Sequence, residues 1–348
     1  MQKIVRALFL AGCVLLAGAV HAQSSAGRVL EVKPAAADVS AAQRSKRGVL
    51  HTLPSAGQRL RRENVNDLRG APKASPPAAA APANGVRIIS TLTYQGGPVM
   101  QSAVQHAIYM FPSNGACPKV AACWGNPEQF LHDLGRSEFI HVTDQYVGTT
   151  GNSRYSVGVS GRVHYSIPAQ PLVDTDIQAI VHKMVAADGG LNGYGHEYHV
   201  FLPPGQDECI DATYSVCASN AFCGYHSSVD FSDLGHVIYS VEPYGNVPGC
   251  QALLPDGTLI TGQNSILSHE MIESITDPDG DAWWNAGGDL DLYGYEIGDE
   301  CQWITFDSAG NGGFLFDNVY LNGRLYLIQS EYNNHANGCT DGPGPGGD

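Results

Sequence analysis

The stretch Asn264-Ser265-Ile266-Leu267-Ser268-His269-Glu270-Met271-Ile272-Glu273-Ser274-Ile275-Thr276-Asp277-Pro278 carries more structural information than any other part of the chain. Asn264 or Ser265 can cap a helix and Pro278 marks its end, so the pattern predicts a helix over 264–277. At about 100° per residue, Leu267, Met271 and Ile275 form one apolar stripe. His269 and Glu273 lie one turn apart on the opposite side, with Asp277 a further turn on. An imidazole and a carboxylate side by side on a rigid helix make a two-point metal grip. Glu270, next to His269 in an HExxE arrangement, is placed to act as a general base toward water activated by the cation. The plainer reading of the same residues is an amphipathic helix with an acidic, solvated outer face.

The sequence beyond this helix favours a cation. Asp279, Asp281, Asp289, Asp291, Glu296, Asp299 and Glu300 come in close succession, and no Lys or Arg occurs between Lys183 and Arg324. Carboxylates crowded without counter-charges repel unless solvated, protonated or metal-bound. Glu296 and Asp299 sit in Tyr295-Glu296-Ile297-Gly298-Asp299-Glu300-Cys301, where Cys301 can tether the loop. His226, in Phe222-Cys223-Gly224-Tyr225-His226, stands beside another cysteine. The expected set is therefore His269 and Glu273, completed by Glu296, Asp299 or His226 around a divalent cation. Zinc is favoured; calcium or manganese competes, because one imidazole with several carboxylates is a hard set unless His226 joins.

Other elements carry less. His196, His199 and His236 flank strands and read as structural histidines, and His335 has no motif around it. Asp277-Pro278-Asp279-Gly280-Asp281 lacks the Gly and Glu spacing of an EF-hand. Trp283-Trp284, with Tyr293 and Tyr295, reads as packing or as the wall of a groove. Ser160 lacks the second glycine of a nucleophile elbow, and no phosphate-cradling glycine loop opens a helix. A carboxylate pair for glycoside hydrolysis is a further alternative.

The chain has 348 residues, with 19 Lys+Arg against 34 Asp+Glu and a net charge of −15. Such a balance lacks the clustered cations that phosphate contacts require, which argues against nucleic acid and anionic membranes as partners. The charge is unevenly spread: residues 23–85 hold ten basic residues against four acids, whereas 86–348 are net −23. Residues 1–22 have the pattern of a secretory signal, with Lys3 and Arg6, an apolar run and Val20-His21-Ala22 before the cleavage point. Export into the medium or periplasm is expected, with no transmembrane segment. Leu10-Ala11-Gly12-Cys13 resembles a lipoprotein box, but the apolar stretch before Cys13 is too short to favour it.

Eight cysteines follow the signal: Cys117, Cys123, Cys209, Cys217, Cys223, Cys250, Cys301 and Cys339. An even count in an exported chain argues for disulfides, and no CxxC pair supports a cysteine zinc site. Short loops suggest Cys117–Cys123, and Cys301–Cys339 would pin the C-terminal end. Residues 23–85 are Ala/Pro-rich, basic and poor in large apolar residues, which reads as a linker. The alternative is a removable pro-segment with dibasic points at Lys46-Arg47 and Arg61-Arg62. A single globular domain is expected over 86–341, with a Gly/Pro tail at 342–348. Strands are predicted at 87–94, 104–110, 198–202, 236–241 and in a hairpin of 314–320 with 324–328; helices at 126–134 and 174–187, the latter capped by Asp174. The fold class is α+β or mixed α/β around a central mixed sheet.

Several blocks together resemble the EXORDIUM-like, or phosphate-induced protein, family and its bacterial relatives. Thr93-Tyr94-Gln95-Gly96-Gly97-Pro98-Val99 resembles its Tyr-His-Gly-Gly-Pro signature, with Gln95 in place of histidine. Phe222-Cys223-Gly224-Tyr225-His226 resembles its Cys-Gly-Trp-His element. Ser268-His269-Glu270 through Thr276-Asp277-Pro278, then Ala282-Trp283, Glu296-Ile297 and Asp299 with Cys301, resembles its most specific block. Trp284 stands where tyrosine is usual, and Asp279 and Asp281 are added acids. The resemblance implies secretion and association with the cell surface or matrix. Combined with the helix chemistry, the leading expectation is a secreted zinc metallopeptidase-like hydrolase acting on a peptide or matrix substrate. The alternative is a non-catalytic extracellular module, calcium-stabilised or metal-free.

Overall fold

The computed structural model describes residues 29–32, 51–54, 91–151, 153–247, 249–253, 258–287, 293–302 and 317–344. The expected signal with Cys13, the acids Asp289 and Asp291, and tail residues 345–348 lie outside the described residues. The centre is a mixed sheet of eight strands. They are β1 (Val29–Val32), β2 (His51–Pro54), β3 (Ala103–Pro112), β4 (Tyr155–Val157), β5 (Ser160–Tyr165), β6 (His196–Phe201), β7 (Phe222–Phe231) and β8 (Gly235–Glu242). Their spatial order is β1-β5-β3-β6-β8-β7-β2, with β4 beside the start of β3. The strands from β1 to β8 pair in parallel; β7 is antiparallel to both β8 and β2. Residues 23–85, read from composition as linker or pro-segment, thus supply a strand at each end of the sheet.

Both faces are covered, which makes the fold mixed α/β. Along β3, Ile108 and Met110 face one helix layer while Ala107, Tyr109 and Phe111 face the other. α2 (Asp174–Ala187) packs Ile177, Val181, Met184 and Val185 against the first face. α1 (Pro127–Leu134) and α3 (Gln263–Thr276) cover the second with Phe130, Leu131, Leu134, Leu267, Met271 and Ile275. Asn126 caps α1, its side chain accepting from the Gln129 N–H at 3.3 Å. At α2 the expected cap is displaced: Val173 holds that position, and the Asp176 carboxylate accepts the Val173 N–H at 3.0 Å. The Asp174 carboxylate is instead drawn inward by the Tyr225 and Tyr239 hydroxyls, at 3.0 and 2.6 Å.

Four cysteine pairs lie at disulfide distance: Cys117–Cys123, Cys209–Cys217, Cys223–Cys250 and Cys301–Cys339, with Cα separations of 5.8, 3.9, 5.4 and 5.8 Å. The C-terminal hairpin pairs β9 (Asp317–Leu321) with β10 (Arg324–Ile328). Its turn puts Asn322 and Gly323 at φ 46° and 80°, the left-handed pair that such a two-residue turn needs. Arg324, Asn322 and Tyr326 all bond Asp133 of α1, which fixes the hairpin to the body. Of the expected strand at 87–94, residues 87–90 lie outside the described residues, and Thr93–Tyr94 forms a short strand paired with Trp283–Trp284. Among the described residues, no helix is long and apolar enough to cross a membrane.

Candidate metal centre

α3 starts one residue before the expected point, and neither predicted cap acts as one. Gly262 occupies the cap position, and Ser265 uses its hydroxyl to accept the Gln329 N–H at 3.1 Å. The helix ends where expected, with the Asp277 carboxylate accepting the Ala282 N–H at 2.6 Å after the chain turns at Pro278. The acidic outer face is not solvated. His269 and Glu270 are 0% exposed, Glu273 is 1% exposed, and Asp277 is buried as well. The amphipathic surface-helix reading is overturned: the apolar stripe faces the core, and the opposite stripe faces β7, β8 and two segments from further along the chain.

Those segments bring the predicted residues together. His226, on β7, lies 3.3 Å from Glu270 and 3.7 Å from Glu273 through Nδ1, and 3.5 Å from Glu296 through Nε2. His269 Nε2 lies 3.1 Å from Glu273 Oε1 and 3.9 Å from Asp299 Oδ1. The Asp299 N–H donates to Glu273 Oε1 at 3.1 Å, and the Gln302 amide donates to Asp299 Oδ1 at 2.9 Å. The 293–302 loop is held by the Cys301–Cys339 pair, by the Tyr332 N–H on Ile297 O, and by the Gln329 amide on Gly298 O. Gly298 lies flat on the imidazole of His269, where a Cβ would collide with Nδ1. Gly224 makes room for Glu270 in the same way: a Cβ there would meet Glu270 Oε1 at 2.8 Å.

Two donor sets result, His269–Glu273–Asp299 and His226–Glu273–Glu296, each with its atoms within 4.8 Å of one another. Glu273 belongs to both. A third grouping, Asp207 with Cys209 and Cys217, offers no thiolates because those cysteines are joined to each other. The His269–Glu273 contact is informative. At 3.1 Å the two atoms form a close, buried ion pair. Two ligands on a tetrahedral zinc, with bonds of about 2.0–2.1 Å, sit about 3.3 Å apart. The pair therefore has the spacing of neighbours on one ion.

The charges fit the same idea. Burial pulls the His269 pKa down, but Glu273, Glu270 and Asp299 outweigh it and hold the imidazole well above its ordinary value. Burial raises Glu273, and His269, His226 and the Asp299 N–H more than reverse that, leaving it lowered. Glu270 is pushed well up by burial, against His269 and together with Glu273, Glu242 and Asp299. Two imidazoles cannot neutralise this many buried acids, and no Lys or Arg lies in the sequence between Lys183 and Arg324. A divalent cation would supply the missing positive charge.

Further acids, Glu331 and Glu242 among them, belong to this environment and have no sequence motif. Glu331 is fully buried, and His269, Glu273 and Asp299 all act on its charge. Glu242, at the end of β8, is buried beneath α3 and accepts the Ser240 hydroxyl at 2.8 Å. The one sequence clue to Glu331 is Cys339, whose strand pairs with Glu331–Asn333. The remaining candidates lie elsewhere. His199 bridges Ser240 and Gln105, His196 meets His106, and His236 sits between Asp230 and Asp279. His335 is exposed. Trp283 packs against Tyr94 and Tyr146 and donates its N–H to Tyr146 O. Glu300 accepts the Asn285 amide, away from the two donor sets. No family model, curated protein or solved structure matches the chain.

Proposed function

We propose that the protein is a secreted, metal-dependent hydrolase, in the first place a zinc peptidase. The observation that carries this reading is the buried His269–Glu273 pair at 3.1 Å, with Asp299 on one side and His226 and Glu296 on the other. His269 and Glu273 would hold the cation, with Asp299 or the His226–Glu296 side completing the set. A bound divalent cation supplies Lewis acidity and makes water a nucleophile at neutral pH. Glu270 would take and return the proton, and His226 Nδ1, 3.3 Å from its Oε2, would help to hold the carboxylate in place. Four disulfides and the signal-like residues 1–22 support export, and the EXORDIUM-like resemblance agrees with an extracellular setting.

A second reading has its own observation. Glu270, Glu273, Glu296, Asp299 and Glu331 outnumber the two imidazoles, a donor balance that also suits calcium in a non-catalytic EXORDIUM-like module. Elemental analysis of the purified protein, together with Glu270→Gln, separates the two. The peptidase reading expects one zinc per chain, retained in Glu270→Gln, and peptide hydrolysis reduced about 10²- to 10⁴-fold. Calcium alone, with no hydrolysis in the unmodified chain, establishes the module. Hydrolysis that survives chelation removes the metal from the chemistry and points to a carboxylate pair.

A further inference from the structure

The antiparallel strand β7 carries both Gly224 and His226, and its outer edge is not open. β2 lies along it, with Pro54 opposite Phe222, Leu53 opposite Gly224, Thr52 opposite Tyr225 and His51 opposite His226. These four residues cover the part of β7 that touches the candidate centre. We propose that the β7 edge is a binding site for an extended, cationic peptide, and that β2 occupies it in the intact chain. That the peptide is a substrate rests on the peptidase reading; the strand pairing does not.

Three features support this. A sheet edge presents a row of unpaired N–H and C=O groups, which an extended chain of any sequence can satisfy. Without β2, that row on β7 would run beside His226 and the Glu270 that contacts it. Next, the sequence around β2 is cationic: Arg44, Lys46, Arg47, Arg59, Arg61 and Arg62 flank it, and no acid occurs between Asp38 and Glu63. The domain it lies on is net −23 over 86–348. Charge complementarity therefore selects a basic occupant. Finally, Lys46-Arg47 and Arg61-Arg62 bracket β2, so an endoprotease specific for basic residues can free it, adding one water across each cut bond. The same edge would then be open to a peptide in trans.

The test reads pairing and binding, not turnover, and is done in Glu270→Gln protein with chelator present. Thr52→Pro with Leu53→Pro removes two consecutive amides, one of which faces β7 in either phase of the strand. Amide exchange over Phe222–His226 should quicken at least about tenfold in this variant while Ala103–Pro112 keeps its protection. A fluorescein-labelled peptide with the sequence of residues 44–62 should bind the variant at least about tenfold more tightly than the intact chain, because the occupied fraction no longer competes. Equal exchange of β7 in both proteins, or equal peptide affinity, overturns the proposal. If the variant also loses protection over Ala103–Pro112, the unsubstituted β2 is cut free at the two dibasic pairs instead, and the same two changes must appear or the proposal fails. An inactive metal centre leaves these readouts standing; a working peptidase with unchanged β7 exchange sinks the occupant alone.

Discussion

α2 and α3 have the same length, 14 residues, and pack on opposite faces of one sheet, yet they follow different rules. α2 is an ordinary amphipathic helix: Ile177, Val181, Met184 and Val185 go in, and most polar side chains stay in or near solvent. The one carboxylate it turns inward, Asp174, is met by two tyrosine hydroxyls and the Gln178 amide. α3 buries every residue except Asn264, including His269, Glu270, Glu273, Ser274 and Asp277 at its end. Its acids Glu270 and Glu273 face each other, two imidazoles and further carboxylates rather than a ring of neutral hydroxyls. Burying charge without full compensation is unfavourable, so a fold keeps such a helix where chemistry needs it. The α2 face buries one acid pair, Asp174 with Glu208, which share the Tyr225 hydroxyl; the α3 face carries the larger concentration of buried charge.

The largest contrast should come from shortening one side chain on each helix. His269→Ala should abolish stoichiometric metal and peptide hydrolysis together, since even outer partners of metal ligands are worth about 10- to 100-fold in affinity. Met184→Ala should lower stability by about 2–5 kcal/mol in urea unfolding, through its cavity, and leave metal content per folded chain unchanged. Metal loss in Met184→Ala would mean that the two faces are not separable. Chelation comes next. If the ion is present at about 1,000 times its Kd, removing it should lower stability by about 4 kcal/mol. Faster amide exchange should then be confined to α3 and 293–302. Equal loosening of α2 would break the contrast.

Two glycines sharpen it further. In Gly224→Ala the new Cβ meets Ile266 at 2.7 Å and Glu270 Oε1 at 2.8 Å. A base displaced by a fraction of an ångström should lower turnover about 10- to 100-fold with metal retained. Gly161→Ala, on the α2 side, presses on the flexible thioether of Met184. It should reduce stability by about 1–3 kcal/mol and leave turnover per folded molecule unchanged. Equal effects on turnover in the two variants would show that Gly224 acts only through packing.

The difference between the faces also explains how much is legible in the sequence. α2 keeps an apolar period of 3.6, so its span is readable to the residue; its cap is not, because Asp174 is claimed by tyrosines distant in sequence. α3 is readable as a helix, and His269, Glu270 and Glu273 as a cluster, from spacing alone. Its burial is not, since burial depends on what returns to cover it. β7 escapes reading as a strand because Gly224, His226, Ser228 and Asp230 alternate with Tyr225, Val229 and Phe231, giving a half-polar pattern at a buried position. The Cys301–Cys339 pairing is readable, but the Glu331 beside it carries no motif. β1 and β2 are four residues each within a basic, Ala/Pro-rich segment whose composition hides them.

The smallest expected effect tests whether strain on the α3 face extends beyond the proposed metal ligands. Burial raises the Glu242 carboxyl from 4.5 to about 8, working against the Ser240 hydrogen bond and the His269 charge. Below pH 4.5 the group is protonated in folded and unfolded chains alike, so it adds no pH dependence. Between 4.5 and about 8 the unfolded chain has released this proton while the folded chain still holds it, and folded stability therefore falls as pH rises. Above about 8 both states are ionised and the loss levels off. Glu242→Gln stays neutral throughout and keeps an acceptor for Ser240. In chelated protein its Tm should match the parent at about pH 4–5, exceed it increasingly toward about pH 8, and hold a constant gap beyond, each kcal/mol being worth about 2–4 °C. Met184→Ala should instead shift the whole curve by the same amount at every pH. Parallel curves for Glu242→Gln as well would mean that the carboxyl is already ionised in the folded state, with the charge of α3 balanced from within.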